Sequence, residues 1–296
     1  MFYKLLNAYT RQFSFPYRGL KYFLKMAKWL SITDKTYKKK LPEGFYMLLT
    51  PSEHIQQQLF WYGYYEKTLG DLVKKILQPG DVFLDIGANI GYFSLLAANK
   101  EPTSKIISFE PVENLFQKLE KNISINNIRN ITGLQVAIGE INEEKELFIS
   151  APDNLGMSSF QQPENYSGRK EKIRVINIDH WFKTARLSRV DLIKLDIEGS
   201  ELAALKGMRE VLQNFKPMVI VEINPETLGL FNLTPADIFD YLNKLDFIAY
   251  LIAETGNLEQ VKQNEVIQTV NVLFIYREKI KLLSALTAQR SVLSDL

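Results

Sequence analysis

The chemistry of this chain has to be done without sulfur nucleophiles and almost without imidazole. Its 296 residues contain no cysteine and two histidines, His54 and His180. A thiol nucleophile, a cysteine-held zinc or iron–sulfur site and a disulfide scaffold are excluded, and a histidine metal cluster is out of reach. Acid–base work falls to carboxylates, lysine or tyrosine. Such residues gather beside glycines in three places: Asp85 in VFLDIGANIG, Glu110 in IISFEP, and Lys194, Asp196 and Glu198 in DLIKLDIEGS.

The first of these, GDVFLDIGANIGYFSLLA at 80–97, reads as a buried strand, a glycine turn and an apolar helix. Gly87 and Gly91 allow a ligand close to the backbone around Asn89, and Asp85 puts a carboxylate where the strand ends. The pyrophosphate fingerprint G-x-G-x-x-G is absent here, and a carboxylate beside the turn repels a diphosphate. It suits a ligand with an ammonium and a sulfonium, as S-adenosylmethionine has. Glu110 follows at the end of the next strand, 25 residues after Asp85, where an acidic residue accepts two ribose hydroxyls. That position serves NAD and S-adenosylmethionine alike, and a carboxylate before Pro111 also fits a helix N-terminus. Ala137, in the strand LQVAI, is counted with the cofactor residues.

In the third cluster, Lys194 lies within an apolar strand and needs a partner, which Asp196 or Glu198 can supply. Adjacent strand ends open into one crevice, so these groups converge with Asp85 and Glu110, and Glu222 at the end of MVIVEI joins them. Asp196 or Glu198 is the expected base with Lys194 as electrostatic partner, Glu222 is the rival, and a purely structural ion pair is the alternative. His180 is the other candidate base, although its place after Asp179 at a helix start reads more readily as a surface histidine. Clustered carboxylates suit magnesium, but nothing in the spacing demands a metal, and none is expected.

The elements that must position these groups alternate. VFLD, IISFE, LQVAI, DLIKLD and MVIVEI are separated by helical patterns, which implies a parallel, doubly wound sheet covered by helices. A long helix is expected at 200–214 and another after Thr234 and Pro235. FIAYLIA and VNVLFIY lack room for a helix between them and so pair antiparallel. Residues 139–178 read as an insertion of hairpin-like strands.

Domain boundaries are expected at a basic amphipathic extension 1–44, a main domain 45–280 and a helical tail 281–296. The first forty residues carry ten basic residues against Asp34 alone, which leaves the remainder net acidic. An acidic body argues against nucleic acid. Residues 19–30 repeat Leu20, Phe23, Leu24, Ala27 and Leu30 at helical spacing beside Lys21, Lys25 and Lys28. Such a helix packs on the domain or docks on an anionic membrane or a partner. No apolar run spans a bilayer and the start is unlike a signal peptide, so a cytoplasmic protein, peripheral to the inner membrane face at most, is expected.

The ordered set YGYYEKTL, GDVFLDIGANIGYFS, FEPVENL, NLGMSS, VDLIKLDIEGSELAALKG and PMVIVEIN resembles the FkbM family of S-adenosylmethionine-dependent methyltransferases over residues 55–280. The resemblance implies a class I methyltransferase fold with a Rossmann-like seven-stranded sheet, its last strand antiparallel. It also implies methyl transfer to a hydroxyl of a sugar, glycan or natural product. By it Asp85, Gly87, Asn89 and Gly91 form the cofactor loop, Glu110 holds the ribose, Glu66 reaches the methionine end, and Ser158 and Ser159 touch cofactor or acceptor. An NAD-dependent oxidoreductase or epimerase would need the pyrophosphate fingerprint and usually a Tyr–Lys pair. Amino-methylating nucleic-acid enzymes carry Asn-Pro-Pro-aromatic where this chain has Asp-Ile-Glu-Gly. A scaffold that keeps the cofactor residues without catalysis is the other alternative. Phe60, Trp61 and Tyr64 are candidates to stack on a sugar, though their spacing also fits a core.

Overall fold

The computed structural model describes residues 33–164 and 166–282. The amphipathic stretch 19–30 and nearly all of the tail 281–296 lie outside the described residues. Strands β1 (Tyr37–Lys40) and β2 (Tyr46–Leu49) pair antiparallel, so the lysine run 38–40 is a hairpin strand and Pro42 and Gly44 belong to its turn, where the sequence suggests a boundary. Aromatic faces stabilise this use of charge. The Lys38 ammonium lies 4.7 Å above the Tyr46 ring and that of Lys39 lies 5.0 Å above Phe60. Helices α1 (His54–Tyr62) and α2 (Lys67–Ile76) follow, and Phe60 and Trp61 are core residues there.

The expected alternation then appears as β3 (Val82–Ile86), α3 (Tyr92–Lys100), β4 (Lys105–Phe109), α4 (Glu113–Ser124) and β5 (Ile131–Leu134). LQVAI does not make one strand. The chain leaves the sheet after Leu134, and β6 (Ala137–Ile138) joins β7 (Glu143–Ser150) and β8 (Tyr166–Ile176) in a separate sheet of order β6-β8-β7. This is the insertion read from the sequence. After α5 (Ile178–Phe182) and β9 (Leu192–Leu195), the helix expected at 200–214 is divided into α6 (Glu201–Lys206) and α7 (Arg209–Phe215). The break falls where Gly207 packs on the insertion, since a Cβ there would lie 2.0 Å from the Gly139 carbonyl oxygen. Asp179 then accepts hydrogen bonds from the Glu210 and Val211 amides at the start of α7. The chain ends in β10 (Met218–Ile223), α8 (Pro225–Leu230), α9 (Pro235–Asn243, capped by Thr234), β11 (Phe247–Ile252), β12 (Leu258–Gln260) and β13 (Val270–Tyr276).

Among the described residues the main sheet has eight strands in the order β12-β11-β13-β10-β9-β3-β4-β5. The expected count of seven omits β12, a three-residue edge strand too short and polar to show a period of two. Pairing is parallel from β10 to β5, and β13 runs antiparallel to both neighbours. β3 and β9 are buried along their whole length, which is why they read as unbroken apolar runs. Successive side chains go to opposite faces. Phe83, Leu192 and Ile220 serve the core under α2 and α3, whereas Leu84, Ile193 and Val219 serve the core under α6, α7 and α9. The order reverses between β9 and β3, and the turns after β3, β4, β9 and β10 share the edge beside that switch point.

One side chain ties the hairpin to the glycine turn. Asn122 on α4 is fully buried, accepts from the Leu48 amide at 2.7 Å and donates to the Ile90 carbonyl at 2.9 Å. Asn122→Ala removes both partners at once, and a buried unsatisfied group costs about 1–3 kcal/mol. The expected loss is about 2–4 kcal/mol, read as a lower urea midpoint with an unchanged slope.

Candidate functional site

The glycine turn is clamped from both sides. Gly87 and Ala88 donate their amides to the Phe109 carbonyl, both at 3.0 Å, and Asp196 donates its own to the Ile86 carbonyl at 3.2 Å. Gly87 has φ +82°, and a Cβ there would sit 1.8 Å from the Asp196 carbonyl oxygen. Only glycine lets the ends of β3 and β9 approach so closely. Gly91, at φ +87° before α3, leaves room instead for Leu119 and packs α3 on α4.

Glu110 is 4% exposed and held at both oxygens, by the Asn89 amide at 2.8 Å and the Val112 amide at 2.9 Å. Burial raises its pKa to about 7, against the pull of those two amides. Two hollows meet beside it, sharing Gly87, Glu110, Gly156, Asp196 and Glu198. The first is apolar, walled by Ile86, Phe109, Val112, Val136, Ala137 and Ile138, and it also takes in Ser158 and Ser159. The second is aromatic and acidic, with Tyr65, Tyr92 and Phe93 facing Asp196, Glu198 and Glu222, and with Asn89, Lys194 and His54 in its wall.

Lys194 organises the acidic side. Its ammonium is 2% exposed, donates to Asp196 Oδ2 at 2.9 Å and lies 5.0 Å from the centre of the Phe93 ring. Burial opposes its charge, but Asp196, Asp85 and Glu66 outweigh burial and hold its pKa above the usual lysine range. Asp196, Glu198 and Glu222 each offer an oxygen within 4.8 Å of the others. Burial raises the pKa of Glu198, with Asp196 and Glu201 adding to it, and repulsion from Asp196 followed by burial raises that of Glu222.

The structure brings most of these residues to one sheet edge, with differences of depth. Asp85, expected to meet a ligand's ammonium, lines neither hollow: it is fully buried, accepts from the Ser94 hydroxyl and feels the Lys194 charge beneath the turn. Burial raises its pKa while Lys194 and Ser94 lower it. Glu66 also stands back from the cavity walls. It precedes α2 at φ 41°, accepts from the Asn271 amide at 2.9 Å, and has its pKa raised by burial against the pull of Lys194. Ser158 and Ser159 are held inside the loop over the first hollow, where Ser158 donates to the Leu155 carbonyl and Ser159 to that of Glu198. Glu201 binds the Ile197 and Gly199 amides and so shapes the DIEGS turn. His180 lines neither hollow.

Tyr65 and His54 are among the lining residues that sequence reasoning misses, as are Tyr92 and Phe93. Tyr65 was hidden in an aromatic run whose Phe60 and Trp61 are core, and its pKa is raised well above normal by burial and then by Glu66, Asp196, Glu222 and Glu198. His54 reaches the second hollow from α1, where its amide is tied to the Asp153 carbonyl at 2.9 Å. No spacing in the sequence links either residue to the strand ends.

The family model of the methyltransferase FkbM domain matches residues 85–249. Among curated proteins, Methyltransferase 1 of Beauveria bassiana is 27% identical over 165 residues, covering 49% of this chain and 66% of that protein. The hexuronic acid methyltransferase AglP of Haloferax volcanii is 26% identical over 162 residues, 52% of this chain and 62% of its own length. The 2-O-methyltransferase NoeI of Sinorhizobium fredii is 24% identical over 191 residues, 60% and 77% respectively. The alignments thus span less than two thirds of the first two relatives.

Lys194→Met tests the buried ammonium. Removing one partner of a buried ion pair costs about 3–5 kcal/mol, and this is the loss expected at neutral pH by urea denaturation. Lys194 has a folded pKa raised above the ordinary lysine value of 10.5, so its contribution is fully present below 10.5 and is lost as pH rises through the folded pKa. The variant's deficit shrinks in acid, where protonated Asp85 and Glu66 need no counter-charge.

Proposed function

The chain belongs to the FkbM methyltransferase family, and on that premise we propose that it moves a methyl group from S-adenosylmethionine to a hydroxyl oxygen of a sugar, glycan or natural product. The observation that carries this reading is Glu110, a buried carboxylate pinned by two amides at the junction of an apolar and an acidic hollow. The residues present fit the cofactor. Each Glu110 oxygen keeps a lone pair for one hydroxyl of a ribose diol. The apolar walls around Ala137 suit a flat purine, and the carboxylate side suits positive charge. The neighbouring sheet order, with β13 antiparallel, agrees with the class I methyltransferase arrangement.

Bound there, S-adenosylmethionine supplies a methyl group activated by its sulfonium. The chain's own work is placement and proton management. Gly87, Asn89 and Glu110 fix the nucleoside, and Gly156 holds the loop 154–159 down on the turn, where its Cα hydrogen leaves room for the Asn89 side chain. Asp85 and Glu66 act one layer back, setting the charge around Lys194 at the end where the methionine portion belongs. Positioning of this kind supplies as much as about 7–11 kcal/mol of the barrier reduction. Glu198 is the proposed proton acceptor for the hydroxyl. Its Oε2 is buried with no hydrogen-bond partner among the described residues, and its raised pKa favours holding a proton. Asp196 is held by Lys194, and Glu222 faces both from the next strand. Among the described residues no helix is long and apolar enough to cross a membrane.

Isothermal titration with S-adenosylhomocysteine tests this reading. Wild-type protein should bind in the micromolar range, and Glu110→Gln should weaken binding by about 1.5–3 kcal/mol, the worth of hydrogen bonds to a charged group. The folded pKa of Glu110, about 7, lies above the ordinary glutamate value of 4.5. Its contribution to the stability of the free protein is therefore full below 4.5 and falls as pH rises towards 7. Affinity for the ribose should move the opposite way, rising from pH 6 to pH 8 as the carboxylate ionises, with Glu110→Gln flattening the profile. Folded wild-type protein that fails to bind where a micromolar site would saturate contradicts the reading.

A further inference from the structure

The second hollow gathers carboxylates beyond Glu110, the one the ribose would take. Asp196, Glu198 and Glu222 bring oxygens within 4.8 Å of one another, and among the described residues that line the hollow Lys194 is the one lysine or arginine. That ammonium is already committed, at 2.9 Å from Asp196. With Glu110, four carboxylates line this hollow beside one lysine.

Two independent features show that a ligand belongs there. Glu198 Oε2 is buried without a hydrogen-bond partner among the described residues, which is a costly state for a carboxylate oxygen unless something binds it. The opposite wall is aromatic: Tyr65 and Phe93 meet edge to face with centroids 6.3 Å apart, and the Phe93 ring already holds one ammonium at 5.0 Å. Rings of this kind attract organic cations, and most strongly where water is excluded. Mutual repulsion contributes to the raised pKa of both Glu198 and Glu222, and a bound cation relieves that repulsion.

We propose that the acceptor bears a protonated amine close to the hydroxyl to be methylated, and that Glu222 and Asp196, with the Tyr65 and Phe93 rings, hold that ammonium while Glu198 faces the hydroxyl. Amino sugars and amino alcohols are the class this selects. A uronic acid brings a carboxylate to the same wall and is selected against. The inference rests on the methyltransferase reading, since it takes the second hollow as the acceptor side of the cleft.

The experiment uses the full chain saturated with S-adenosylhomocysteine and titrates it with three hexoses of different charge: glucosamine, glucose and glucuronate. Glucosamine should bind about tenfold more tightly than glucose, with glucuronate weakest, because like charges across an interface suppress binding. A Glu222→Gln variant that still binds S-adenosylhomocysteine should lose most of that preference, and added salt should reduce it in the wild type. Equal or tighter binding of glucose or glucuronate overturns the proposal, as does binding of none of the three. Magnesium chloride titrated alone is the counter-test: tight binding abolished by Glu222→Gln, with no preference for the amine, would assign the cluster to a metal and overturn the amine. Failure of S-adenosylhomocysteine itself to bind falls on the methyltransferase reading, so the two failures are separable.

Discussion

The cleft depends on one buried ammonium. Lys194 sits in the middle of a parallel strand with almost no exposure, and the sheet can hold its charge only because carboxylates arrive from three directions. Asp196 comes from its own strand end, Asp85 from β3 and Glu66 from the start of α2. Asp196 follows Lys194 by two residues, Asp85 and Glu66 are distant from it in the chain, and each has a reason to face the same point. Removing the lysine would leave Asp85 with Ser94 and Glu66 with Asn271 as the hydrogen-bond partners opposing burial, a condition that favours loss of the carboxylate charge. The acidic wall is therefore a property of the sheet, and the catalytic proposal for Glu198 borrows from a charge that the fold has already stabilised.

The second constraint is steric. β3 and β9 approach until the Asp196 carbonyl fills the place of a side chain on residue 87, and that contact brings the glycine turn and the DIEGS turn together. Glu201 fixes the latter turn, Asn122 fixes the former from behind, and Glu110 closes the rim by binding two amides. The loop 154–159 then crosses the cleft, and Gly156 lies on both hollows. Apolar and acidic chemistry are placed side by side, sharing Gly87, Glu110, Gly156, Asp196 and Glu198.

Much of this was legible in the sequence because parallel strands buried on both faces announce themselves as apolar runs, and a charged residue inside one is conspicuous. Asp85, Glu110, Lys194 and Asp196 were visible for that reason. What the runs conceal is depth. Asp85 and Glu110 both end strands, yet one lies under the turn and the other at the rim, a difference set by the β3 and β4 register and by the short contact with Ser94. LQVAI hides a change of sheet because apolar residues on both sides of the break look continuous. The division of the 200–214 helix depends on packing against Gly139, which no local pattern reports. His54 reaches the cleft from α1 and Tyr65 from the link between α1 and α2, and only tertiary packing chooses Tyr65 from its aromatic neighbours. Asn271 is equally silent in sequence, since its partner Glu66 lies 205 residues away.

A crystal structure of the protein grown with S-adenosylhomocysteine tests the central claim most directly. The account predicts the ribose hydroxyls on Glu110, the purine between Ala137 and the walls of the apolar hollow, and the thioether sulfur opening towards Glu198 and Glu222. A nucleoside seated elsewhere, or one in this cleft with the ribose away from Glu110, would contradict it.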